Sequence, residues 1–163
     1  MNQQDKHYNE LLTRNWQLLQ DSLSTLQKSV KKAQDIGNKP DYSFEEMETF
    51  DSLTSKFSRT SDIFLQKIIR ALWELLHEDK MPLIDILNRA EKLQIIHSAD
   101  DMLEIRDIRN QVAHEYIPEA IQELVPDIID ISKALEQNIN TCKSFILRRN
   151  WLPDHSDGKG KKE

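Results

Sequence analysis

The chain has 163 residues, of which 38% are hydrophobic and 31% charged, enough apolar material for one core in one domain. Its net charge is -6 and its sequence pI near 5.4, the opposite of the balance found in strong non-specific nucleic-acid binders, so contact with nucleic acid would have to use a local basic patch. The only glycines are Gly37, Gly158 and Gly160, none inside an expected element, which excludes glycine hairpins and phosphate-cradling glycine loops.

The first predicted helix runs from about Asp5 to Asp35. Tyr8, Leu11, Leu12, Trp16, Leu19, Leu23, Leu26 and Val30 recur along it at helical spacing. The stretch GNKPDY breaks it at Gly37 and Pro40. Ser43 followed by Glu46 has the form of a capping box and opens a second helix. Phe50, Leu53, Phe57, Phe64, Ile68, Leu72 and Leu75 or Leu76 carry that helix to about Glu78, long and apolar enough to be the central element. Pro82 suits the first turn of a short third helix ending near Leu93. Ser98 with Asp101 restarts the chain into a fourth helix, about Ala99 to Glu115. Pro118 biases Ile117 away from helical geometry and marks a bend. A fifth helix follows to about Arg149, with Pro126 near its start or at a kink. The expected fold is therefore all-α, a bundle of about five helices forming one domain over residues 1–149, with a polar tail over 150–163.

One cysteine, Cys142, cannot form an internal disulfide, and a reducing, cytoplasmic setting is expected. The opening MNQQDKHYNELL lacks the apolar core of a secretory leader, and no run approaches a membrane span. The histidines at 7, 77, 97 and 155 are scattered, with no spacing that suits a metal, so no metal or cofactor is expected. His77 to Asp79 reads as a helix end. Arg148 and Arg149 near Trp151 suit either RNA stacking or a helix C-terminal dipole, and the dipole is preferred.

The fourth helix carries more polarity than a bundle needs. At about 100° per residue, Ile105, Ile108, Val112 and Tyr116 form a core stripe roughly 80° wide. Leu103, Arg106, Asn110 and His114 form a second stripe, with His114 about 180° from Ile105. Such a face is commonly a solvated surface, although Leu103 within it points to a contact. Arg109 lies beside the core stripe, about 140° from His114, so a straight helix does not converge the two. A wrapped arginine, a loosened helix end or a second copy of the chain would each reconcile them.

The segment RNQVAHEY, Arg109 to Tyr116, fits R-N-x-x-x-H-x-Y, and with it the chain resembles HEPN domains, in particular the HepT-like toxins. Nucleotidyltransferase substrate-binding proteins carry similar motifs. The long helix with IIRALWELL, the short proline-started helix and the lead-in SADDMLEIRD add to the likeness, which spans about Phe44 to Leu147. The resemblance implies a homodimeric, metal-independent endoribonuclease whose motif residues meet at the interface between copies. It implies a toxin whose antitoxin, a minimal nucleotidyltransferase, transfers AMP to the motif tyrosine. Carried over, Arg109 and His114 are catalytic, Asn110 is supporting and Tyr116 is the modified residue; Arg106, on the same stripe, is added as a second supporting group.

The residue types suit that chemistry. Attack of a ribose 2′-OH on the adjacent phosphorus needs a proton acceptor, and the leaving 5′-oxygen needs a donor. Histidine serves either role near neutral pH. A guanidinium offers fixed, permanently charged donors to the phosphoryl oxygens. The competing expectation is a non-catalytic helical module that binds a nucleotidyltransferase and its substrate.

Overall fold

The computed structural model describes residues 1–152, and among these the chain forms five helices and no strand. Helix α1 is Gln3–Ile36. Phe44–Asp62, Ile63–Ile68 and Ile69–Leu75 follow one another without a break and make the second rod, α2. Helix α3 is Leu83–Lys92, α4 is Ala99–His114 and α5 is Pro118–Arg148. The all-α bundle agrees with the periodicity of the sequence. Of the predicted tail over 150–163, residues 153–163 lie outside the described residues.

The start signals act as the sequence indicates. α1 starts two residues before the expected Asp5, and Asn2, not singled out in the sequence, caps it by accepting from the Asp5 N–H. At α2 the Ser43 hydroxyl accepts from the Glu46 N–H and the Glu46 carboxylate accepts from the Ser43 N–H, a full capping box. Ser98 caps α4 through the Asp101 N–H. Pro118 occupies the first turn of α5, where its missing N–H costs nothing, and Pro126 lies inside that helix. Pro82 sits one place earlier than expected, as an extended residue just before α3. Gly37 ends α1 at φ 69 and ψ -165, a conformation essentially confined to glycine.

α1 and α2 pack along their lengths. Leu12, Leu19 and Leu26 of α1 and Phe50, Leu53 and Phe57 of α2 belong to one core, all fully or almost fully buried. Ser22 and Thr60 hydrogen-bond across that seam at 2.7 Å. Ile128, Leu135, Ile139 and Ile146 of α5 close the core from another side, and Met102, Ile105 and Ile108 fix the inner face of α4.

The middle of α2 departs from expectation. Ile63–Ile68 is a π-helical segment, with each turn one residue wider than α. Just before it, Thr60 and Ser61 turn their hydroxyls back onto the carbonyls of Lys56 and Phe57, each at 2.8 Å. The wide turn sets Ile63 above Ile68 and Phe64 above Ile69, so two adjacent pairs enter the core together.

Asn138, fully buried in α5, positions the start of α4. Its Oδ1 accepts from the N–H groups of His97 and Ser98 at 2.9 and 3.0 Å, and its Nδ2 donates to Ala134 O and Asp101 Oδ2. Packing continues past Arg149. Trp151 and Leu152 lie against the core, and Asn9 donates to the Trp151 carbonyl. The Arg149 guanidinium lies over the rings of Phe145 and Trp151, at 5.1 and 5.4 Å from their centroids, so this arginine seals the end of α5. Cys142 is wholly enclosed, and burial pushes its thiol well above the ordinary range.

Candidate functional site

α4 emerges from the Asn138 clamp with Ile105 and Ile108 turned into the core. This register fixes where the polar residues go. Arg109, beside the core stripe, reaches α2. Its Nε and Nη2 donate to Asp62 Oδ1 and Oδ2, both at 2.8 Å, in a side-on fork. Both side chains are about one-third exposed, at 31% and 33%. The bond to Asp62, more than the opposing effect of burial, raises the pKa of the guanidinium. A guanidinium has five N–H donors. Side-on pairing uses two of them and leaves the outer edge of the fork able to meet a phosphate.

Asp62 was not among the residues singled out from the sequence. It closes the α-helical part of α2, directly before the π-helical segment. Residues 47 apart in the chain are thereby joined. An acid at a helix position bordering an apolar face was the only signal available for it.

Arg106, Arg109 and Asn110 form one wall of a groove of about 830 Å³ between α2, α3 and α4. Leu65, Ile69 and Trp73 of α2 face them, and Met81, Leu83 and Ile86 close the third side. The second stripe of α4 is therefore only partly a solvated face. Leu103 packs against the core and Arg106 is half-buried, whereas Asn110 and His114 are exposed. His114, the last residue of α4, does not line the groove. The structure thus brings together Arg106, Arg109 and Asn110, and leaves His114 one turn beyond them.

Tyr116 corrects an expectation. Helical indexing set it on the core stripe, yet it is 87% exposed. α4 ends at His114, and Glu115 and Ile117 are both extended, with ψ of 122 and 119. The residue before a proline avoids helical geometry, and here the effect reaches back through Glu115, whose carboxylate accepts from the Ile117 N–H. The phenol of Tyr116 and the side chain of Ile117 consequently project into solvent.

Chemically, the site offers a fixed guanidinium, an exposed imidazole and an exposed phenol around the end of one helix. Among the described residues no cluster of three or more histidine, cysteine or acidic side chains suits a metal ion, and no helix is long and apolar enough to cross a membrane. Compared with protein-family profiles, curated proteins and solved structures, the chain matches none.

Proposed function

We propose that the protein is a HEPN-type endoribonuclease toxin that acts as a homodimer without a metal and is silenced by AMP transfer to Tyr116 from a minimal nucleotidyltransferase. The observation that carries this reading is the R-N-x-x-x-H-x-Y segment closing α4 of an all-helical bundle, with His114 and Tyr116 both open to solvent. In the reaction, the ribose 2′-oxygen bonds to phosphorus as its proton passes to a base, and the 5′-oxygen leaves with a proton from an acid. His114 serves in proton transfer and Arg109 meets the charge on the phosphoryl oxygens. The products are a 2′,3′-cyclic phosphate and a 5′-hydroxyl.

The dimer supplies what one chain lacks. Arg109 points to α2 while His114 sits at the helix end, so two copies of α4 would combine the arginine of one with the histidine of the other. A phenol as accessible as Tyr116 suits an attacking hydroxyl in adenylyl transfer, and the added phosphate would repel an incoming RNA strand.

Expression without the nucleotidyltransferase should arrest growth, and His114→Ala or Arg109→Ala should each abolish the arrest with the helical signal intact. Full toxicity in His114→Ala would sink the nuclease reading. Tyr116→Phe should gain no AMP when the transferase is co-expressed. The pairing of Arg109 with Asp62 favours one alternative, a non-catalytic module that binds a nucleotidyltransferase and its substrate; for that module the alanine variants would leave growth as the parent does.

A further inference from the structure

The groove between α2, α3 and α4 contains a guanidinium that the fold does not use. Arg109 is committed to Asp62, but Arg106, three residues earlier in the same wall, is not. Its Nε is enclosed and has no hydrogen-bond partner among the described residues. Its Nη2 stands 3.9 Å from the Asp107 carboxylate, beyond hydrogen-bonding range. Arg70 lines the groove as well and is exposed on α2. Among the residues that line the groove, Arg70, Lys80, Arg106 and Arg109 are met by Asp62 and Glu74, a surplus of two positive charges in a chain whose net charge is -6, with Asp107 outside the lining.

The floor beneath these cations is apolar. Leu65, Ile69 and Trp73 follow at four-residue steps along α2. Ile69 and Trp73 are mostly buried and Leu65 half-buried, and the Trp73 indole N–H is spent on the Asp79 carbonyl at 3.2 Å, so the edge the tryptophan shows the groove is carbon. A volume of about 830 Å³ lies within the usual span of small-ligand sites. The ligand that fits has a flat, largely apolar body and anionic oxygens at one end.

We propose that this groove binds a nucleotide, its phosphate on Arg106 with Arg70 as the second cation, and its base on the Leu65, Ile69 and Trp73 floor. An arginine fork matches phosphate geometry, and aromatic and apolar surface accepts any base face. An acidic amphipathic helix is the competing occupant, and the size of the groove disfavours it, since about 830 Å³ holds fewer than two turns of a helix about 10–12 Å across. The inference rests on the nuclease reading only for the identity of that nucleotide, as the unit of an RNA strand next to the cleaved bond. Binding itself requires neither His114 nor cleavage.

The test is calorimetric titration of the full chain with AMP. Saturable binding below the millimolar range is expected. Adenosine should bind at least tenfold more weakly, inorganic phosphate should compete, and His114→Ala should retain AMP binding. Arg106→Gln should weaken binding at least tenfold and Arg70→Gln severalfold, both with unchanged circular dichroism. AMP binding that is indifferent to both substitutions would overturn the proposal, as would no saturable binding of AMP or of a dinucleotide. Displacement of AMP by an acidic helical peptide with higher affinity would assign the groove to a protein partner instead. Loss of the nuclease reading would appear separately, as toxicity that survives His114→Ala.

Discussion

The ion pair between Asp62 and Arg109 can be weighed before it is cut. It makes two charge-assisted hydrogen bonds at 2.8 Å, and each partner is about one-third exposed. Exposed pairs contribute roughly 0–1 kcal/mol, while removing one partner of a buried pair costs about 3–5 kcal/mol. Partial exposure with side-on geometry puts the coupling between these limits, at about 1–2 kcal/mol. A single Asp62→Ala variant would understate it, because alanine is the better helix former by several tenths of a kcal/mol. A double-mutant cycle with Asp62→Ala and Arg109→Ala removes that bias, since the propensity change cancels. For a domain of this size, 1 kcal/mol corresponds to a shift of about 2–4 °C in Tm. The cycle is best measured by urea denaturation followed at 222 nm, at low and high salt. A coupling near 1–2 kcal/mol that survives most of the added salt is expected. A coupling below about 0.3 kcal/mol would show that the pair contributes nothing to the fold and that Asp62 does not hold Arg109.

Two further outcomes follow from the buried polar groups. Asn138→Leu strips the acceptor from two backbone N–H groups and should cost about 2–4 kcal/mol, read as a lower urea midpoint with an unchanged slope. An unaltered midpoint would mean that the α3–α4 link does not depend on this clamp. The buried Cys142 thiol has its pKa raised in the folded chain, so the folded protein keeps its proton where the unfolded chain loses it. The stability this confers is full below about pH 8.5 and declines as pH rises further, by up to about 1.4 kcal/mol per pH unit. Cys142→Ala should lose that part of the alkaline slope, and identical slopes in the two proteins would refute the assignment.

Helices were legible from the sequence because burial imposes a period on it. Each stripe of leucine, isoleucine and phenylalanine marks a face turned inward, and Ser43 with Glu46 and Ser98 with Asp101 are signals that span three residues. The motif at the end of α4 could be read for the same reason, since its residues are neighbours in the chain. What could not be read lies between elements. No local pattern encodes the meeting of Asp62 with Arg109. The π-helical segment follows two hydroxyls turned onto the backbone, but Thr49, Ser132 and Thr141 make the same bond in regular α-helix, so no local pattern announces it. Tyr116 was set on the wrong face because angular indexing continues to it a helix that ends two residues before it, at His114. Asn138 left a faint trace, a polar residue between Leu135 and Ile139 on an otherwise apolar face.

The π-helical segment also lets α2 carry an extra residue within one continuous rod. Relative to a straight α-helix, Ile63–Ile68 holds one residue more, and one residue is worth about 100° of rotation. The wide turns take up that rotation, and the Phe44–Asp62 half and the Ile69–Leu75 half both pack on α1. Loss of a single residue from the segment would let it close into ordinary α-helix while Asp62 and Phe57 keep their facing, so a one-residue deletion there should be far milder than one within Phe44–Asp62.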